Sequence, residues 1–191
     1  MSPITHFLAG WAVAQVAPGL TRRERAAVAI AGVIPDADGL GLVADFFTRN
    51  AAYPTNWWGE YHHVLGHGVA FCVLCCLAAF FIAQRKWLVV ALVAASFHLH
   101  LLGDLVGARG PEGEQWPIHY LGPFSERWQW VWSGQWALNA WPNFVVTGAL
   151  LFLVFFWARA RGHSPLEMLS LRADAAFVET LRRRFPLEAG R

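Results

Sequence analysis

The sequence contains few charged residues. Of its 191 residues, 56% are hydrophobic and only 15% are charged, whereas a soluble domain usually carries about 25% charged residues. The formal net charge of +2 is too small to indicate a nucleic-acid partner. Apolar segments separated by clusters of arginine and lysine are typical of a membrane protein, and we therefore expect one.

Cysteines and secretion features are also scarce. Cys72, Cys75 and Cys76 lie in one apolar run, so the sequence gives no disulfide framework, and we expect them to pack as small hydrophobic side chains. The N-terminus has no basic region before its apolar stretch, which predicts no cleaved signal peptide. No serine or cysteine stands in a setting typical of a nucleophile, so hydrolytic chemistry would have to use activated water.

The apolar segments predict an all-α, polytopic membrane helical bundle with about five spans, within a domain of residues 1–160. A full span needs about 20 apolar residues. The candidate spans are residues 4–20, 26–47, 68–83, 87–106 and 136–157.

The second candidate span carries Pro35, Asp36 and Asp38 near its middle. Proline removes a backbone donor and disfavours helix at the residue before it. We therefore expect one broken helix with the two acids at the break. A break at membrane depth is tolerated where it is packed in protein or lines a wet cavity, and charges there are usually functional.

Residues 161–191 predict a cytoplasmic amphipathic tail helix. The sequence Ser164-Pro165-Leu166-Glu167 matches a capping box with proline at the first helical position. Apolar residues then recur at helical spacing, with arginines on the other faces. Such a helix can lie on the membrane surface or pack against a partner.

Three basic clusters predict the orientation. They lie at residues 21–25, 84–86 and 159–161, and the positive-inside rule places such loops in the cytoplasm. The loops at 48–66 and 107–135, which contain or border most of the tryptophans, would then lie on the outer side. With five crossings, histidines and acids from several segments would meet near the outer face.

Histidines and carboxylates stand where the apolar runs begin or end, and the stretch Tyr61-His62-His63-Val64-Leu65-Gly66-His67 is the densest example. His100 and Asp104 are four residues apart, which places them on one face of a helix, and His63 and His67 have the same spacing. Imidazole and carboxylate groups suit zinc and other first-row divalent metals. Several carboxylates among histidines suit a site with more than one ion, which could activate water for hydrolysis.

Each of these residues also has an ordinary structural interpretation. Asp36 and Asp38 can cap a half-helix, and His6 alone would be read as a surface histidine. His98 lies about 200° round the helix from His100 at 3.6 residues per turn, so we expect it to be a satisfied interior histidine. Asp45 is expected to be solvated. Their common membrane depth favours the metal site.

The ordered set of motifs resembles the YdjM-type bacterial inner-membrane proteins. The resemblance runs from the N-terminus to about residue 124. It rests on Ser2-Pro3-Ile4-Thr5-His6, Gly32-Val33-Ile34-Pro35-Asp36-Ala37-Asp38, the histidine pair ending at His67, His100-Leu101-Leu102-Gly103-Asp104, and Trp116-Pro117. It implies an inner-membrane location and metal-dependent hydrolase activity. The implied metal ligands are His6, Asp36, Asp38, His62, His67, His100 and Asp104.

One motif departs from the family pattern His-Arg-x-x-Thr-His. His63 replaces the arginine and Gly66 replaces the threonine. An arginine could clamp a phosphate, whereas His63 could ligate a metal or take a catalytic role. We therefore keep His63 beside His6 as a candidate catalytic residue and leave open whether His62 or His63 is the ligand.

The mix of ligands is similar to that of zinc-dependent phospholipase C. This analogy suggests a phosphoesterase that uses zinc, with manganese or iron as alternatives, on a small-molecule or lipid-linked substrate at the periplasmic face. Fold-level analogy does not establish function.

The sequence is also compatible with other functions. Acids at a broken helix also mark ion pathways, which would make the protein an ion or metal transporter. A non-catalytic, metal-stabilised membrane protein is a further alternative. A haem-binding bundle could use His67 and His100, but it would leave Asp36, Asp38 and Asp104 without a role.

Overall fold

A computed structural model describes residues 1–62, 64–110 and 113–186. These residues are mostly helical, as the sequence predicts: 64% of them lie in helices, and they contain one small two-stranded sheet. His63, a candidate catalytic residue, lies outside the described residues.

The first two helices are antiparallel neighbours with well-defined starts. Helix α1 is Pro3–Ala14, with the Ser2 side chain accepting a hydrogen bond from the Thr5 backbone N–H. Helix α2 is Arg22–Ala31 and begins with a capping box between Thr21 and Glu24. Both starts satisfy backbone donors that a helix leaves unpaired.

The predicted break after α2 is present. A 3-10 helix, Ile34–Leu40, carries Pro35 and both acids, and α3, Gly41–Thr48, follows it. The two halves, Arg22–Ala31 and Ile34–Thr48, are bent by 53°. Asp36 and Asp38 therefore lie in a tight turn between two helices.

The remaining elements complete a helical bundle with a small hairpin. The helices are α4, Trp57–Tyr61, α5, Val69–Ile82, α6, Lys86–Gly107, α7, Trp141–Arg161, and α8, Leu171–Arg184. Strands β1, Ile118–His119, and β2, Gln129–Trp130, pair antiparallel between α6 and α7.

Helix α6 is the central element of the bundle. Its Val89 and Val93 pack with Ala14 and Val28 in one buried cluster, and further along Phe97 and Leu101 form another with Cys72 and Ile118. Trp11 of α1, fully buried, contacts α2 and α7. Because α6 packs against the neighbours that carry other site residues, it sets the position of the site.

The number of spans is smaller than the five predicted. Among the described helices, α6 and α7 are long and apolar enough to cross a membrane, and the bent pair makes up to three. Helix α1 has 12 residues and α5 has 14, which gives lengths of about 18 and 21 Å at 1.5 Å per residue. Both fall short of the hydrocarbon core of about 30 Å.

The tail also differs from the prediction. Ser164 caps only a short 3-10 helix, Pro165–Met168, and α8 begins at Leu171 with Ser170 as its cap. The predicted capping box is wrong because the Glu167 carboxylate contacts the Arg25 guanidinium at 2.7 and 2.6 Å instead of reaching back to Ser164. The helix of the tail therefore begins at Leu171, after a turn that the Arg25–Glu167 ion pair holds against α2.

Candidate metal centre

Helix α6 carries two residues of the site, His100 and Asp104. His100 Nε2 lies 3.1 Å from Asp104 Oδ2, as expected for residues one turn apart. From α1, His6 Nε2 contacts Asp104 Oδ1 at 2.9 Å. All three side chains are buried. Burial of this many polar groups is costly unless they are paired or bind a metal.

Residues 64–68 form a loop before α5, which begins at Val69. His67 is fully buried, and its Nε2 lies 3.1 Å from His100 Nε2 and 3.4 Å from Asp104 Oδ2. Its Nδ1 lies 3.0 Å from Asp38 Oδ2. Two imidazole nitrogens from different elements thus point at each other beside a carboxylate.

The 3-10 helix contributes the two acids in different ways. Asp36 Oδ1 lies 3.7 Å from His100 Nε2, and its buried Oδ2 has no hydrogen-bond partner among the described residues. His6, Asp36, His100 and Asp104 can each offer one ligand atom within 4.8 Å of the others. We call these four residues together with His67 the central group.

Asp38 has a different position from Asp36. Its Oδ1 lies 2.9 Å from His62 Nδ1, and its Oδ2 accepts the Gly66 backbone N–H at 3.1 Å and contacts His67 Nδ1. Of the seven predicted ligands, the structure thus places five in the central group, whereas Asp38 and His62 form an adjacent shell.

Hydrogen bonds fix the ring orientations of His100 and His67. His100 Nδ1 lies 3.0 Å from the Gly32 carbonyl, which can only accept, so Nδ1 carries the proton. In a neutral His100 the lone pair is then on Nε2, which faces the central group. Asp38 Oδ2 contacts His67 Nδ1 in the same way, so His67 Nε2 is the nitrogen that faces the central group. Such outer partners are usual for metal-binding histidines.

Electrostatics around His67 favour positive charge. Burial alone would lower its pKa, but hydrogen bonds and charge from Asp104 and Asp38 raise the pKa of His67 to about 9. The Met1 ammonium also pairs with Asp104 Oδ1. The carboxylates therefore create a negative potential where the ligand atoms meet.

Two glycines allow the elements to approach closely. A Cβ on Gly66 would lie 2.3 Å from the Pro35 carbonyl oxygen, and one on Gly103 would lie 2.9 Å from His6 Cε1. The replacement of threonine by Gly66 in the histidine motif therefore matches a contact between this loop and the 3-10 helix.

A cavity of about 280 Å³ leads to the site. Asp36 and Asp104 line it, and Trp58, His62 and Trp116 form an aromatic wall. The rings of Trp58 and His62 are stacked with centroids 4.0 Å apart, and Trp116 packs edge-on against both. The central group is thus buried yet adjacent to a space where a ligand can enter.

Sequence reasoning missed several contributors. The Gly32 carbonyl and the Met1 amino group are backbone features that a search for side-chain motifs does not find. Asp45, expected to be solvated, accepts hydrogen bonds from the backbone N–H groups of Trp57 and Trp58 at the start of α4. It thereby positions Trp58 in the cavity wall.

A family model described as YdjM inner membrane protein matches residues 1–171. The chain belongs to this family. The match includes every residue of the central group and of the adjacent shell. No curated protein and no solved structure matches the chain. Together with the long apolar helices α6 and α7, the family identifies a membrane protein.

Proposed function

We propose that the chain is a membrane-embedded, metal-dependent hydrolase that acts on a phosphoester or lipid-linked substrate at the outer face of the bacterial inner membrane. The observation that carries this proposal is the pair of facing imidazole nitrogens, His67 Nε2 and His100 Nε2, 3.1 Å apart beside Asp104.

The donor set fits a divalent transition metal. Zinc sites use imidazole nitrogen and carboxylate oxygen, and catalytic sites keep a position open for water or substrate. Asp36 Oδ2, which has no hydrogen-bond partner among the described residues, is a further available ligand atom. His67, His100, Asp104 and Asp36 would hold the ion, with zinc as the first choice and manganese or iron as alternatives.

Asp38 and His62 extend the site toward the cavity. Asp38 would orient His67 through Nδ1, and His62 would either face the substrate or join a second ion. The number of acids and histidines suits more than one ion, as in two-metal hydrolases.

A bound metal would polarise the scissile bond and lower the pKa of a bound water. The chain's own residues would bind and orient the substrate. His6 Nε2, hydrogen-bonded to Asp104 at 2.9 Å, can hold or release a proton beside the ligand atoms, so we assign it the acid/base role or a place as a ligand. His63 stays a second candidate for the acid/base role.

The surroundings of the cavity support a lipid-linked substrate over a small soluble one. Leu40 and Leu138 line the cavity and are exposed. Helix α3, next to Leu40, has no buried residue and exposes Val43 and Phe47. Large exposed apolar patches mark membrane or partner contacts, and an amphiphile could enter along α3.

The charge distribution supports the outer-face orientation. Arg22, Arg23, Arg85 and Lys86 lie at the end of the bundle where α2 and α6 begin, whereas His100 lies 14 positions along α6 from Lys86, which is roughly 21 Å at 1.5 Å per residue. The positive-inside rule places the basic end in the cytoplasm, and the site then opens on the periplasmic side.

The test combines metal content with turnover. Purified protein in detergent would be analysed for bound zinc, manganese and iron, and assayed with a chromogenic phosphodiester and with phospholipid vesicles. We expect bound metal and hydrolysis in the wild type, and loss of both in His67→Ala and Asp104→Ala. Equally little metal in all three proteins would contradict the proposal. Metal without turnover would favour a transporter or a metal-stabilised structural protein.

A further inference from the structure

A second cavity lies at the basic end of the bundle, away from the candidate metal centre. It has a volume of about 610 Å³ and is formed by the start of α2, the end of α5 and the 3-10 helix before α8. Its lining residues are Thr21, Arg22, Arg23, Ala26, Ile82, Gln84 and Met168. We call it the basic groove.

The polar side of the basic groove is positively charged. Arg22 makes one exposed hydrogen bond, to the Met168 carbonyl at 3.3 Å, and Arg23 makes no side-chain hydrogen bond to any described residue. No acidic residue is among the lining residues that the structure describes. Two guanidinium groups are therefore available to an anion.

The nearby acids are turned inward and already paired. Glu24 is 1% exposed and accepts hydrogen bonds from the backbone N–H groups of Thr21, Gln84 and Arg85. Its carboxylate thus joins the loop before α2 to the loop before α6, and this brings Arg85 and Lys86 to the same end. Glu167 likewise forms an ion pair with Arg25. The outer surface here is left positive.

The other side of the basic groove is apolar and continues onto exposed apolar surface. Ile82, at the end of the apolar helix α5, and its neighbour Phe81 are both largely exposed. Trp87, at the start of the membrane helix α6, is also exposed, and tryptophan is enriched at the membrane–water interface. A soluble anion would not need this apolar side.

We propose that the basic groove binds an anionic phospholipid, with the phosphate held by Arg22 and Arg23 and the upper acyl chain against Ala26, Ile82 and Met168. Basic cavities between membrane helices are suited to anionic headgroups. This site is separate from the metal centre, and the proposal does not depend on the hydrolase function.

The experiment measures lipid binding to the detergent-purified full chain by native mass spectrometry, with phosphatidylglycerol and phosphatidylcholine as probes. The test variant is Arg22→Gln/Arg23→Gln. The matched control is Arg172→Gln/Arg183→Gln, which removes the same charge from exposed positions of α8. Melting temperatures of both variants check that they fold.

We expect the wild type and the control to prefer phosphatidylglycerol. The test variant should bind it about 25-fold more weakly, because each interfacial arginine contributes roughly fivefold. Equal weakening in the control, or no preference for phosphatidylglycerol in the wild type, would overturn the proposal. So would full competition by inorganic phosphate, since that would identify a soluble anion as the ligand.

Discussion

Among single residues, Asp38 has the least expected role. It contacts the Nδ1 atoms of both His62 and His67. Asp38 would therefore influence a metal bound by the central group through its contact with His67. Outer partners of this kind change metal affinity by about 10–100-fold when they are removed. Asp38→Asn should therefore weaken zinc affinity by about that factor, whereas Asp104→Ala should abolish binding. Zinc titration against a competing chelator measures both; an Asp38→Asn protein with wild-type affinity would contradict this role.

His98 and His100 form a matched pair on α6. His98 is held by the Ala94 carbonyl and the Tyr120 hydroxyl on another face of the helix. We expect His100→Ala to lose bound metal and His98→Ala to retain it, as measured by elemental analysis at equal protein concentration. If the two variants lose metal equally, general destabilisation of α6 would be the cause, and His100 would not be a specific ligand.

Gly66 tests the packing of the histidine loop. A Cβ here would lie 2.3 Å from the Pro35 carbonyl, so Gly66→Ala must displace the backbone. Overpacking typically costs about 1–3 kcal/mol. We expect a lower melting temperature in detergent and weaker metal binding. Gly148→Ala is the control because a Cβ there meets nothing within 4 Å, and an equal effect of the two substitutions would argue against the close contact.

At the scale of elements, an ion pair links the 3-10 helix before α8 to α2. Arg25 and Glu167 form a two-point contact and are mostly buried, with 14% and 4% of their side chains exposed. Breaking a buried pair from one side costs about 3–5 kcal/mol because it leaves an unpaired charge. Glu167→Gln should therefore loosen α8 and speed its removal by limited proteolysis, whereas Glu179→Gln, in an exposed pair on α8, should not. Equal cleavage rates would contradict the role of this pair.

Some elements could be predicted from the sequence because their signals are local. Pro35 predicts the break after α2, and the spacing of His100 and Asp104 predicts their contact. The capping box at Ser164 failed because a distant arginine competes for Glu167. The span count failed because composition shows that a segment is apolar but does not give the length of helix that forms.

The residues of the site could likewise be predicted from the sequence, whereas their arrangement could not. Residue type identified the five members of the central group, since imidazole and carboxylate groups are rare in apolar segments. Their geometry could not be predicted, because it involves contacts between segments that are distant in the sequence: Gly66 packs against Pro35, and the Gly32 carbonyl orients His100. Nothing local in the sequence distinguishes Asp36, whose Oδ2 has no hydrogen-bond partner in the described part of the chain, from Asp38.

At the scale of the whole molecule, basic and histidine-rich ends lie apart along α6. If the basic end is cytoplasmic, single cysteines introduced in a protein whose Cys72, Cys75 and Cys76 are alanine should differ in labelling. We expect Glu126→Cys to react with a membrane-impermeant maleimide added to intact cells and Gln84→Cys to react only after permeabilisation. Labelling of both positions from outside would contradict the orientation.

The central claim is that His67, His100 and Asp104 meet around a metal ion. A crystal structure of the zinc-loaded protein with data at the zinc absorption edge tests it most directly. We predict an anomalous peak about 2.0–2.2 Å from His67 Nε2, His100 Nε2 and an Asp104 oxygen. A fully loaded protein with no peak among these three side chains, or with its zinc held elsewhere, would contradict the account.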